Sequence, residues 1–231
     1  MLVEFIVQNG EEAARAQELG ADRLELVSAI SEGGLTPSHG ALKEVLQSVS
    51  IPVQVMIRPH SDHFHYSSAD KAIMLEDIDH VVSLGGKGIV IGGLTEDDTI
   101  DERLLEEVVT RFSTIDITFH RAFDAVRSQR EAYLTLTKYY PHIKRILTSG
   151  GEANCSAGLS QLRELLALSK QENGPQIMPG SGLSPDNIAA IHDSVNASQY
   201  HFGSSIRKQR SFQQSFNEAA VQALTDFKAT H

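Results

Sequence analysis

The stretch Ile115-Asp116-Ile117-Thr118-Phe119-His120-Arg121-Ala122-Phe123-Asp124 gathers a histidine, a guanidinium and a carboxylate at one end. Such a trio can move a proton, hold an anion or bind a metal. It can equally be a buried histidine bonded to a neighbour, with Arg121 and Asp124 as a surface pair. Ile115, Ile117 and Phe119 alternate with Asp116, Thr118 and His120, the two-residue period of a strand with two unlike faces. The apolar set faces helices. The polar set faces the other way, with the chemistry at the C-terminal end.

The same pattern recurs elsewhere. Alternation leaves Glu4 inside the first strand, Arg23 and Glu25 inside the second, Gln54, Met56 and Arg58 inside the third, and His201 inside the last. Burying ionisable groups costs several kcal/mol each unless they are paired. Five strands accepting that cost at one place point to a ligand or catalytic site of Glu25, Arg58, His120, Asp124 and His201. A structural ion-pair network, Glu25 with Arg58 for example, is the alternative.

Two glycine-serine turns add a second signal. Gly180-Ser181-Gly182 and Gly203-Ser204-Ser205 each follow a strand. Glycines let backbone N–H groups approach an anion, and serines add donors. A third candidate is His60-Ser61-Asp62-His63-Phe64-His65, where His60, His63 and His65 are possible metal ligands. Their spacing matches no standard site, and a polar loop over the mouth fits as well. Cys155 has no cysteine or histidine near it in sequence.

The elements that must position these groups run in strict alternation. Strands are expected at Leu2 to Gln8, Asp22 to Val27, Val53 to Arg58, Gly88 to Gly92, the opening stretch Ile115 to Asp124, Lys144 to Thr148, Gln176 to Pro179 and Gln199 to Phe202. Helices follow each. Asn9 caps the first, with Glu12 in capping-box position. Ser184 and Pro185 open a short one to Asp193. A last helix over about 211–229 places Phe212, Phe216, Ala220, Leu224 and Phe227 at helical spacing. Eight strand-helix units imply a single-domain α/β protein, a closed (β/α)8 TIM barrel, with an open doubly wound sheet as the other option. In such a barrel the strand ends named above meet at the mouth, and loops seven and eight are where phosphate commonly binds.

Size and charge narrow the field. The chain has 231 residues, 41% hydrophobic, enough for one core. The one cysteine excludes an intrachain disulfide. No apolar run approaches the ~20 residues of a membrane helix, and Met1 to Gln8 lacks a signal-peptide pattern. These features favour a soluble cytoplasmic protein. A net charge of −10 argues against a nucleic-acid interface.

Glu32-Gly33-Gly34-Leu35-Thr36-Pro37-Ser38, Met56-Ile57-Arg58-Pro59, Thr118 to Asp124 and Leu147-Thr148-Ser149-Gly150-Gly151 together resemble the CutC family, named for copper homeostasis. The similarity spans Met1 to about Ser205. It implies a TIM barrel, a cytoplasmic homodimer or homotetramer, and copper binding or trafficking. Many members carry cysteine in strand one and at the end of strand two, where this chain has Ile6 and Val27. Cu(I) favours soft thiolate or thioether ligands. The arginine, two glycines and aspartate usual after Met56-Ile57-Arg58-Pro59 are replaced by His60-Ser61-Asp62-His63.

Two functions are therefore expected. One is a copper homeostasis protein with ligands among His60, His63, His65, His120 and His201. The other is an enzyme or binder for a small anionic, phosphorylated metabolite. There the two glycine-serine loops hold the anion, Arg58 orients a second anionic group, and His120 with Glu25 or Asp124 transfers protons.

Overall fold

A computed structural model describes residues 1–231. Eight parallel strands follow one another round a barrel: β1 (Leu2–Val7), β2 (Arg23–Leu26), β3 (Val53–Met56), β4 (Gly88–Ile91), β5 (Asp116–Phe119), β6 (Ile143–Thr148), β7 (Gln176–Pro179) and β8 (Gln199–Phe202). The hydrogen-bonded order is β7-β6-β5-β4-β3-β2-β1-β8. The seam between β7 and β8 is closed by a single bridge, Gly180 to His201. Gln176 Oε1 supports the seam by accepting from Gln199 Nε2 at 2.8 Å and Ser198 Oγ at 3.2 Å. The architecture is the expected (β/α)8 barrel.

Helices α1 (Gly10–Glu18), α2 (His39–Ser48), α3 (Ser68–Ser83), α4 (Glu102–Arg111), α5 (Gln129–Thr137), α6 (Leu159–Glu172), α7 (Ile188–Val195) and α8 (Glu218–Thr230) wrap the outside. The alternation in the strands explains why. Val3, Phe5, Val7, Leu24, Leu26, Val55, Ile89, Ile91, Ile117 and Phe119 face outward and are buried under the helices in one apolar core. A smaller apolar cluster of Ile6, Val27, Met56 and Val90 lies inside the barrel.

Side chains set the helix starts. Asn9 accepts the Glu12 N–H at 2.9 Å, as expected for a cap. Glu12 itself reaches the Gln8 N–H at 3.0 Å. Two boundaries differ from the sequence reading. Ser184 does not cap α7 with its side chain; its N–H is held by Asn187 Oδ1 at 2.8 Å and the helix begins at Ile188. The last helix begins at Glu218, capped by Asn217, so Phe212 and Phe216 precede it. Both phenyl rings pack on the buried Arg207 guanidinium instead, at 4.8 and 4.4 Å. Their helical spacing is real, but the cation claims them.

Candidate functional site at the barrel mouth

A cavity of about 640 Å³ opens at the C-terminal ends of the strands. Glu25, Arg58, His120 and His201 line it, as do Ser181, Gly182, Gly203, Ser204 and Ser205. Gly180 lies just behind, bridged to His201. Three arginines (Arg58, Arg121, Arg210) face two glutamates (Glu25, Glu32) round the wall. The apolar side is formed by Ile6, Met56, Phe64 and Phe212, among others.

At the inner end, strand register places Glu4 of β1 opposite Arg23 of β2 on one side and His201 of β8 on the other. Arg23 Nε donates to one Glu4 oxygen. The other Glu4 oxygen meets His201 Nδ1 at 2.8 Å. His201 Nε2 stands 3.7 Å from Glu25 Oε2, and Glu25 Oε1 is buried with no partner. Burial pushes the Glu25 carboxyl up to about 7, with Glu4 adding to the rise. Burial raises Glu4 too, but Arg23 and His201 outweigh it and hold that carboxyl down to about 2. Burial lowers His201, yet Glu25 and Glu4 leave it raised overall. One ligand atom from each of Glu4, Glu25 and His201 lies within 4.8 Å of the others, so these three residues could hold a metal ion.

His120 ends β5. Its Nδ1 accepts the Ala122 N–H at 3.1 Å. A backbone N–H only donates, so Nδ1 carries no proton and the proton of a neutral ring sits on Nε2. That Nε2 is buried without a partner. Burial, with Arg58 adding, pushes the imidazole down to about 3. His120 is thus a neutral hydrogen-bond donor at neutral pH rather than a base.

The remaining expected residues are held by loops. Arg58 Nη1 donates to Glu32 O at 3.1 Å and Gly34 O at 3.4 Å, and Nη2 to Ser61 O at 3.2 Å. Its Nε is buried and free. Asp124 makes no bond to His120. It accepts from Arg121 Nε at 2.7 Å, Ser149 N at 3.2 Å, Gly151 N at 3.0 Å and Thr148 Oγ1. It therefore anchors the loop after β6. His60, His63 and His65 lie outside the cavity wall. His63 stacks on His65 at 5.6 Å, and His60 packs on His63 at 5.0 Å. His65 Nε2 bonds Asp98 Oδ1 at 3.0 Å, and His60 Nε2 is 3.8 Å from Asp70. Cys155 is buried, donates to Gly180 O at 3.2 Å, and is pushed up to about 12 by burial.

Some contributors escaped the sequence reading. Alternation put Glu4 and Arg23 inside, but gave no sign that Glu4 would be shared between two cations. Nothing marked Arg210 and Phe212 as wall residues, because they reach the mouth from an irregular segment. Ile6 and Val27 are neighbours in the inner apolar cluster with Met56, so the expected thiol positions form an apolar wall. The one sulfur on the cavity wall is that of Met56.

The CutC family model matches residues 1–206. A CutC family protein of Enterobacter sp. (strain 638) is 39% identical over 228 residues, covering 99% of this chain and 89% of that protein. The human copper homeostasis protein cutC homolog is 40% identical over 200 residues, covering 87% and 72%. The crystal structure of a CutC protein from Streptococcus agalactiae superposes with a TM-score of 0.81 at 29% identity, covering 88% of this chain and 98% of that one. Phosphoribosyl anthranilate isomerase from Thermotoga maritima superposes at 0.65 with 15% identity, covering 98% and 97%, a likeness of barrel fold alone. The chain belongs to the CutC family.

Proposed function

We propose that this protein serves copper homeostasis, the role in the name of its human relative, and that the barrel mouth is its working site. The observation that supports this reading is the convergence of Glu4, Glu25 and His201. Their donors are carboxylate oxygen and imidazole nitrogen, which suit Cu(II) better than Cu(I). Ile6 and Val27 offer no thiolate, and Met56 offers one thioether. Copper bound at the mouth is therefore expected as Cu(II), with Arg23 beside Glu4 weakening the hold. Parallel competition titrations with Cu(II) in air and Cu(I) under anaerobic conditions test this on metal-free protein. Near one Cu(II) per chain, lost in Glu25→Gln and His201→Gln, is the expected result. Binding that survives both substitutions, or no competition with either ion, sinks the reading.

A second reading has its own observation. Glu25 Oε1 and His120 Nε2 are buried, unpartnered and on one cavity wall. Together with the two glycine-serine loops they suit a small anionic, phosphorylated metabolite. Glu25 would exchange a proton and His120 would donate to an acceptor oxygen. A thermal-shift panel of phosphorylated metabolites tests it. A shift that persists in both Arg58→Ala and His120→Ala would exclude this placement. Family membership also supports a cytoplasmic homodimer or homotetramer, which light scattering and fractionation would check. No helix is long and apolar enough to cross a membrane.

A further inference from the structure

The barrel has a second cavity at its opposite end, about 360 Å³ in volume. Arg23, Lys144, Arg145, Gln176, Ser198 and Gln199 line it, at the N-terminal ends of β2, β6, β7 and β8. No carboxylate is among the lining residues. We propose that this basal cavity is a binding site for a small oxyanion of the phosphoryl class.

Charge is the first argument. Asp116 is shared by Lys144 Nζ at 3.1 Å and Arg145 Nη1 at 2.8 Å. Glu4 is shared by Arg23 and His201. The two carboxylates thus leave three basal cations one negative charge short, in a chain whose net charge is −10. Arg23 and Arg145 are buried, each beside its own carboxylate, so the surplus positive charge falls on Lys144 at the cavity wall. A bound anion would be drawn by that surplus.

Donors are the second argument. Arg23 bonds through Nε and Nη2 to Glu4, Gln199 and Met178, which leaves Nη1. Arg145 bonds through Nη1 and Nη2, which leaves Nε. Gln176 accepts from Ser198 and Gln199 with its oxygen, so its NH₂ makes no bond within the chain. Guanidinium forks and an ammonium are the groups that bind phosphoryl oxygens. The volume lies in the range of about 300–1,000 Å³ typical of small-molecule sites. A barrel's N-terminal face ordinarily reads as stability, and cations there for pairing alone would bind nothing.

Calorimetric titration in low salt separates these cases, with pyrophosphate in one arm and inorganic phosphate in the other. One anion per chain is expected, weakening as salt rises. Lys144 is 51% exposed on its side chain, so Lys144→Glu keeps the fold. It should weaken binding about tenfold or more by reversing a charge at the cavity wall. Binding of both anions, pyrophosphate the more strongly for its higher charge, or equal binding of the two, fits a phosphoryl site. Either upholds the site. No bound anion in either arm overturns it, as does affinity unchanged in Lys144→Glu. Loss of binding in Arg210→Ala instead would place the anion at the mouth and equally overturn it.

Discussion

Arg23 and Glu25 lie two residues apart on β2, both inside the barrel, and open onto opposite cavities. Between them stand Glu4 and His201, so the order of contacts is Arg23, Glu4, His201, Glu25. Four ionisable groups thus span the barrel interior from base to mouth. Three of them are held by their neighbours. The fourth, Glu25, keeps an oxygen without a partner. Charge brought to either cavity acts on a line that ends in the other.

The pH dependence of stability in metal-free protein should separate Glu25 from His120. Glu25 rises from the usual 4.5 to about 7 on folding. The folded state then binds the extra proton, so this contribution falls as pH rises from about 4.5 to 7. His120 goes the other way, from 6.5 to about 3. Its contribution is full above pH 6.5 and is lost as pH falls towards 3. Urea unfolding across pH 4 to 8 checks both. Relative to wild type, Glu25→Gln should gain stability towards pH 8, and His120→Gln should gain it towards pH 4. Curves parallel to wild type would mean that neither group is shifted.

Gly92 gives an independent handle on His120. A Cβ at Gly92 would lie 2.5 Å from His120 Nδ1 and 3.2 Å from the Ala122 Cβ. The ring sits where it does because Gly92, the residue directly after β4, has no side chain. Gly92→Ala should therefore displace the ring and break its bond from the Ala122 N–H. Nitrogen chemical shifts of the imidazole would show this. Wild type should show a proton on Nε2 alone and no titration between pH 5 and 8. The variant should lose that fixed tautomer while keeping the barrel's circular dichroism.

The barrel and its inward-facing groups were legible because strand alternation is a direct readout of which face is buried. Glu25, Arg58, His120 and His201 all reach the mouth as that rule requires. What alternation cannot give is a partner. Arg58 was expected to orient a ligand anion, but both its Nη groups are tied to loop carbonyls across 3 to 26 positions of sequence. Asp124, four residues after His120, was expected beside it. The turn at Arg121–Asp124 carries it to the β6 loop instead. The rim residue Arg210 had no periodicity to announce it, and the helical spacing of Phe212 pointed to a helix that begins only at Glu218.

Asp124 should behave as a loop anchor. Asp124→Ala leaves the N–H groups of Ser149 and Gly151 without their acceptor and frees Arg121. Hydrogen bonds to a charged group contribute about 1.5–3 kcal/mol each, so a loss of about 3 kcal/mol is expected. Amide exchange should quicken at Ser149 and Gly151. The His120 ring shifts should stay unchanged. A changed His120 tautomer would restore the direct partnership.

Arg207 is the first residue past the family match and has 1% of its surface exposed. Its guanidinium donates to Glu12 at 2.7 and 3.0 Å, to Ile6 O at 3.0 Å and to Gln214 O at 3.2 Å. It thereby fastens the irregular segment before α8 onto β1 and α1. Removing one member of a buried ion pair costs about 3–5 kcal/mol, because the partner is left charged. Arg207→Met should lose about that much, and Arg207→Met with Glu12→Gln should lose less, since no lone carboxylate remains. The structural consequence is more specific than the loss of stability. Arg210 and Phe212 hang on this clasp and form part of the mouth wall. Limited proteolysis should cut Arg207→Met after Lys208 or Arg210 before the barrel unfolds. Resistance equal to wild type would mean that the segment is held by Phe212 and Phe216 alone.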